Sequence, residues 1–467
     1  MRVLLVEDVE EIIDAICREM EDIEFTVVRD RDAALSELER GFFDVAVCDL
    51  HIPPSEGELA DIEHGKAVLL NIRDECSGTP IIAFTAYDSK EFLRQMWNLQ
   101  SRRDFLGTRS DRSLLEIKGK DELSELRDDL QELAREFAIL EEIEIAVGTH
   151  PELEPKVERV LRIYARQRGC VLVRAEQVSS GHSGVPVISL TMERDDGSGG
   201  GSAVARISTV SGVDEERHAF EQYVSGVLEI GHYPEITGII DAGVGGTGAV
   251  FYQFAGASDS FWQVPCVDDS KASEAVTQLF ETFKKWTSDA VPTNISVGDV
   301  RRILIRDQPW AVAASRAGLS DDDVVRIERV MVHGRKCTSH CDLHGGNVMM
   351  GTRAVPIDFA SVSSGLTVQD AVTLELSILF HPDAPSWSEY WPSTTQLENW
   401  FDLESYVVGC PFPAFIRSCR KWASEVARGD RDIPACVYAY VSSQARFDAS
   451  NENRLRAIMR AVQARLS

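Results

Sequence analysis

The chain has 467 residues, 44% of them hydrophobic and 27% charged, the make-up of a globular protein long enough for two or three domains. Its formal charge of −28 repels polyanions and argues against nucleic acid as a direct partner, and no run approaches the roughly eighteen apolar residues that a membrane span needs. The opening run from Met1 to Glu11 turns acidic too soon for a secretory signal and the ten cysteines show no paired spacing, so the expected setting is the cytoplasm, with reduced and buried thiols.

In residues 1–145, short apolar runs at Val3–Val6, Val45–Val47 and Ile81–Phe84 alternate with longer amphipathic stretches. Continuous apolar strands separated by helices predict an α/β, doubly wound parallel sheet, in which ligands meet the carboxyl ends of the strands. Those ends carry Glu7 and Asp8, then Asp49, then Thr85. Carboxylates converging on one edge make an oxygen-rich Mg2+ site, and the metal lets one of them accept a phosphoryl group. This pattern resembles the receiver domain of two-component response regulators through about residue 125. The resemblance implies that Asp49 is the phosphoacceptor, that Glu7, Asp8 and Asp49 hold the metal, and that Thr85 follows the phosphoryl group. It assigns the pocket lysine to Lys118 at the end of a fifth strand, although Thr108 stands at the family's usual spacing, and it names a histidine kinase or another phosphodonor as partner. Residues His51 to His64 read as an insertion.

Leucines at 123, 126, 130 and 133 form one helical stripe, which either packs on the sheet as the last receiver helix or pairs with a second copy in a homodimer. Thr149, His150, Pro151 and Pro155 break that pattern, which sets a receiver-like domain at 1–145 and a linker at 146–160.

From 161 to 255 the pattern is strand, small-residue turn, strand, with the turn at Ser179 to Gly184 containing Ser180, Gly181, Ser183 and Gly184. Such turns let backbone amides approach phosphates. Asp195 to Ser202 reads as a flexible hairpin tip leading into a strand that carries Arg206. Glu216 opens a helix in which Phe220 and Tyr223 share a face, and Ala249 to Ala255, with Tyr252 and Phe254, reads as an edge strand and hinge that could meet an adenine ring.

Residues 256–467 turn mostly helical, with Trp400 and Trp422 as expected core anchors. Within them lies His340-Cys341-Asp342-Leu343-His344-Gly345-Gly346-Asn347, followed by a short strand pair ending in Ile357-Asp358-Phe359. An acid, an amide five residues on, and a second acid after a hairpin are the parts that position a hydroxyl and hold magnesium against a triphosphate. Cys337, His340, Cys341 and His344 could instead be taken for zinc ligands, but no second ligand pair with the required spacing accompanies them.

The loop resembles that of the aminoglycoside phosphotransferase and choline kinase branch of the protein-kinase-like fold, with Cys341 where that family has glycine. The resemblance implies an α+β bilobal domain, N-lobe 161–255 and C-lobe 256–467, that uses ATP or GTP with Mg2+. It places Asp342, within a loop opened by His340, as the group that orients or deprotonates an acceptor hydroxyl, and Asn347 and Asp358 as metal ligands. Arg206 stands where the family has a lysine, with Glu216 as its expected partner and Glu221 as the alternative, and Asp370 and Glu375 fall in the segment that follows the catalytic strands. The expected protein is a bacterial two-component-type regulator whose receiver controls a phosphotransferase acting on an alcohol of unknown identity; the alternative is a kinase-like, nucleotide-sensing adaptor in a stress or defence system.

Overall fold

The computed structural model describes residues 1–466 apart from positions 19, 21, 87–101, 149–152, 181–185, 254–258, 386–390 and 448–450. The chain forms two compact units, Met1–Glu215 with Glu235–Phe254, and Glu216–Pro234 with Ala255–Ser467.

In the first unit, strands β1 (Arg2–Val6), β2 (Glu24–Val28), β3 (Val45–Cys48), β4 (Ile81–Thr85) and β5 (Leu115–Gly119) form a parallel sheet in the order β2-β1-β3-β4-β5. Helices α1 (Glu10–Cys17), α2 (Arg31–Arg40), α3 (Ile62–Glu75) and α4 (Leu123–Glu141) cover both faces, which is why β3, Val-Ala-Val-Cys, is buried at every position. Leu4, Val6, Ala46, Cys48 and Ala83 pack under Ala34, Leu38, Val68 and Ile72 of α2 and α3, whereas Val3, Leu5, Val47 and Phe84 face Ile13, Ile16, Leu126 and Leu130 of α1 and α4. Strand order reverses between β1 and β3, and that reversal opens a crevice at their carboxyl ends.

A second sheet in the same unit contains β6 (Glu144–Val147), β7 (Leu172–Ser180), β8 (Pro186–Glu193), β9 (Gly199–Thr209), β10 (Ile236–Ile240) and β11 (Thr247–Gln253), ordered β10-β11-β9-β8-β7-β6. Neighbours are antiparallel except β6, which runs parallel to β7. Helix α5 (Pro155–Gln167) lies before this sheet's second strand in sequence and α6 (Val210–Tyr223) after β9. The stretch read as a linker, 146–160, therefore supplies the end of β6 and the start of α5. One apolar core runs from Val3 and Leu5 through Leu126, Leu130 and Phe137 of α4 and Val160 and Tyr164 of α5 to Val173, Ala205 and Phe251 of the second sheet. The α4 stripe is wide enough to serve both sheets, so the chain crosses from one to the other without leaving the core.

Polar contacts join the same parts. Arg159, 5% exposed, places Nη1 2.8 Å from Asp44 Oδ1 and Nη2 2.6 Å from Glu141 Oε1. Gly78 donates its N–H to the Gly245 carbonyl (2.9 Å) and accepts from the Gly243 N–H (2.7 Å), while Arg103 pairs with Asp241 at 2.7 Å. The predicted flexible tip at Asp195 to Ser202 is shorter than expected. Arg194 N–H closes a turn onto the Ser198 carbonyl (2.9 Å), and Gly199 to Gly201 already belong to β9. A Cβ on Gly200 would lie 2.2 Å from Cys170 Sγ, so that glycine serves close packing rather than flexibility.

The second unit is largely helical: α7 (Asp269–Ser288), α8 (Val297–Leu304), α9 (Gln369–Phe380), α10 (Pro413–Val426), α11 (Asp432–Gln444) and α12 (Glu452–Leu466) are its longer helices. Strand β12 (Arg335–Ser339) pairs with β15 (Ser363–Leu366), and β13 (Val348–Met350) with β14 (Ala354–Pro356). Trp400 and Trp422 are buried anchors. No helix among the described residues is long and apolar enough to cross a membrane.

Candidate functional sites

The first site forms where β1 and β3 stop. Glu7 donates its N–H to the Val28 carbonyl (3.0 Å) and Asp49 to the Val6 carbonyl (2.9 Å), so the strand ends themselves aim both carboxylates into the crevice. Oxygens of Glu7, Asp8 and Asp49 lie within 4.8 Å of one another. Hard carboxylate oxygens grouped this closely suit Mg2+. Thr85, buried, closes β4 opposite Gly119 of β5.

The lysine of this site is Lys120, which corrects the assignment to Lys118. Lys120 Nζ lies 2.6 Å from Asp49 Oδ2 and 2.9 Å from Glu7 Oε2, whereas Lys118 Nζ lies 2.7 Å from Asp129 Oδ2 on α4. Lys118 is still inside β5, where its side chain is committed to a flank of the sheet. Lys120 is the first residue beyond the strand and so reaches over its end. The long path from Thr85 to this lysine includes a small hairpin pairing Arg102–Arg103 with Arg112–Ser113. Burial holds the Glu7 carboxyl above its ordinary range although Lys120 pulls it down. Burial alone would lower Lys120, but hydrogen bonds to Asp49 and Glu7 outweigh it and raise the ammonium above its usual value.

Of the expected nucleotide-binding residues, Gly181, Ser183, Gly184 and Phe254 lie outside the described residues. Ser180 ends β7 opposite Pro186. Arg206 sits in β9 between Val187 and Val250, and Tyr252, buried, in β11 opposite Val204. Glu216 is buried in α6, one turn before Phe220, whose ring meets Phe359 edge-on at 6.1 Å.

The second site is the loop after β12. Asp370, buried at the start of α9, accepts the N–H of His340 (2.9 Å) and of Cys341 (3.0 Å) through its two oxygens, which pins the loop where it leaves the strand. Burial raises the Asp370 carboxyl, with His340 and the two N–H donors opposing. His340 Nε2 donates to the Ile357 carbonyl (2.9 Å), and Ile357 N–H to the Asn347 carbonyl (2.9 Å), so the β13–β14 hairpin returns Asp358 to the loop. Cys341 has φ of 63°, a left-handed conformation that costs an L side chain about 1–2 kcal/mol and explains why glycine is expected there. Asp358, φ 60°, is left-handed as well, which aspartate tolerates better than most residues.

Asp342 is 47% exposed in its side chain. Asn347, buried, donates Nδ2–H to the Asp342 carbonyl (2.9 Å) and lies 3.4 Å from its Oδ2. With Nδ2 donating to Asp342, the Asn347 side-chain oxygen is the atom of that amide suited to a metal. Two neighbours carried no usable signal in sequence. Tyr440 on α11 is buried, and burial with the added charge of Asp342 pushes its phenol well above the ordinary range. Trp262 stacks on His344 with centroids 5.6 Å apart and planes 11° apart.

No family model matches the chain, and no curated protein matches it. Among solved structures, a glucosamine kinase in complex with glucosamine, ADP and inorganic phosphate aligns with a TM-score of 0.33 and 10% identity, over 63% of this chain and 92% of that one. An aminoglycoside-3'-phosphotransferase of type VIII aligns at 0.34 and 15%, over 58% and 100%. An aminoglycoside phosphotransferase from Streptomyces rimosus aligns at 0.28 and 11%, over 53% and 92%. Similarity at this level is one of outline.

Proposed function

We propose that the chain is a Mg2+- and nucleotide-dependent phosphotransferase acting on a hydroxyl acceptor, with Asp342 as the residue that orients or deprotonates that hydroxyl. The observation that carries this reading is the pinned loop itself: Asp370 and His340 fix the backbone, and the Asn347 amide turns inward onto Asp342. Asn347 and Asp358 would hold the metal, which supplies charge neutralisation to a transferring phosphoryl group. Phosphoryl transfer asks little covalent chemistry of a protein, so a base held in place beside a metal pair is sufficient equipment. ATP and GTP are both candidates, and the acceptor is an alcohol on a small molecule or a protein.

The second part of the proposal concerns Asp49, as an acceptor of phosphate from a histidine kinase or another phosphodonor. Its support is the Lys120 ammonium seated between Asp49 and Glu7, whose carboxylate oxygens group with that of Asp8. Glu7, Asp8 and Asp49 would hold Mg2+ there.

The test uses the full chain with MgATP or MgGTP and measures phosphate release and transfer. Asp342→Ala should leave nucleotide-dependent stabilisation in thermal melting intact while turnover falls by about a hundred- to ten-thousandfold. A wild type that binds nucleotide without turnover would be an adaptor, and turnover indifferent to Asp342→Ala would refute the role given to the loop.

A further inference from the structure

A base that must meet an acceptor hydroxyl has to stay accessible, yet an accessible carboxylate turns easily. Asn347 meets Asp342 on one side, and His344 is a further neighbour of its carboxylate. Its Nδ1 accepts the Gly346 N–H at 3.0 Å, so in the neutral ring the proton sits on Nε2, which lies 3.9 Å from Asp342 Oδ2. Asn347 Nδ2 and His344 Nε2 therefore address the same oxygen.

The His344 ring is held from several directions. His381 stacks on it at 4.1 Å with planes 29° apart, and Trp262 meets both imidazoles, His381 at 5.4 Å. A Cβ on Gly345 would come within 2.5 Å of the Trp262 ring, and one on Gly346 within 2.9 Å of its Nε1, so the double glycine makes room for the indole. His381 is itself fixed, its N–H donating to the Ser377 carbonyl (2.9 Å) and its Nδ1 accepting the Asp383 N–H (3.2 Å). Capping one amide does not require three stacked rings. A defined direction for Nε2–H does.

We propose that His344 is a positioning residue for Asp342: its Nε2–H closes from 3.9 Å into hydrogen-bond range of Oδ2 when an acceptor fills the site, with His381 and Trp262 holding the ring plane. Catalytic hydrogen bonds are commonly long without substrate and tighten in the reacting complex. The proposal rests on the phosphotransferase reading and deepens it.

Two substitutions separate the ring's two nitrogens. In His344→Asn the shorter amide reaches the Nδ1 position and keeps the Gly346 contact, whereas in His344→Gln the longer one reaches the Nε2 position and can donate to Asp342. With MgATP as the nucleotide and water as the acceptor, His344→Asn should lose on the order of ten- to a hundredfold in kcat at unchanged KM, and His344→Gln should recover most of it. A capping role predicts the reverse order, and His344→Asn turning over as fast as His344→Gln overturns the proposal. Should both variants fail to fold, His381→Phe, which keeps a ring against His344, should outpace His381→Ala, and equal rates there overturn it as well. Wild-type turnover that depends on Asp342 but ignores His344 and His381 defeats this inference alone. A wild type that releases no phosphate defeats the phosphotransferase reading and this inference together.

Discussion

Asp49 and Asp342 both stand where a β-strand has just ended, but the chain treats their charges in opposite ways. Asp49 is 4% exposed and an ammonium lies 2.6 Å away, whereas Asp342 is 47% exposed in its side chain and is approached by two neutral donors. A buried carboxylate needs a partner charge because water no longer solvates it. An exposed one keeps its hydration, and what the protein has to supply is direction. The scaffolds differ too: Asp49 sits in a unit whose two sheets share one core, and Asp342 in a helical unit where a single buried acid, Asp370, pins the loop.

The largest test of that difference removes residues 1–149. A chain beginning at 150 lacks β6 and α4, and so loses Leu130 and Phe137 from the core that also holds Tyr164, Val173 and Phe251. Such a fragment should not show a cooperative melting transition for the second sheet, and a soluble fragment with native-like melting would show instead that the two sheets are independent. Next in size is Arg159→Ala, which removes the nearer of two guanidinium groups from buried Asp44, Arg2 remaining at 3.6 Å, and should destabilise the first unit by about 1.5–3 kcal/mol in denaturant melts. A loss below about 1 kcal/mol, the scale of a surface pair, would mean that Arg159 acts like an exposed residue.

Lys120→Met tests the charge compensation at Asp49 directly. Loss of the ammonium should cost about 1–3 kcal/mol at pH 7, because Glu7 and Asp49 then face each other without a cation. The pH dependence has a definite sign. The folded value of Lys120 is raised, so its contribution is complete below the unfolded lysine pKa of about 10.4 and is lost as pH rises through the folded value. The variant should lack that alkaline step, and millimolar Mg2+ should raise its melting temperature more than that of wild type. An unaltered alkaline limb would place the compensation elsewhere. The smallest effect is expected at the Asp342 loop, where Cys341→Gly trades relief of a left-handed backbone against a lost buried thiol and should shift stability by no more than about 1 kcal/mol either way. Cys341→Val, branched at a positive φ, should be clearly worse in the same melts.

Much of this was legible in local pattern. Val-Ala-Val-Cys followed by Asp49 combines a strand with an acid at its end, and the loop from His340 to Asn347 holds its acid and amide at fixed spacing, so both are carried by nearby residues. Lys120 was missed for Lys118 because the pocket depends on where β5 stops, and sequence periodicity locates strand ends only to within a few residues. At 146–160 proline and a lapse in the leucine stripe resemble a boundary, whereas β6 is a short edge strand whose reason to form is β7, whose residues pair with it from 28 positions further on.

The sequence by itself determined the strand cores, the acids at their ends and the loop from His340 to Asn347, because each depends on residue type at fixed local spacing. Only the tertiary structure decided which lysine meets Asp49, that one core serves both sheets, and that His344 lies between His381, Trp262 and Asp342. Those facts depend on groups brought together by packing from distant positions, such as Asp49 with Lys120 or Trp262 with His344, and neither a period nor a motif encodes the direction in which a side chain will find its partner.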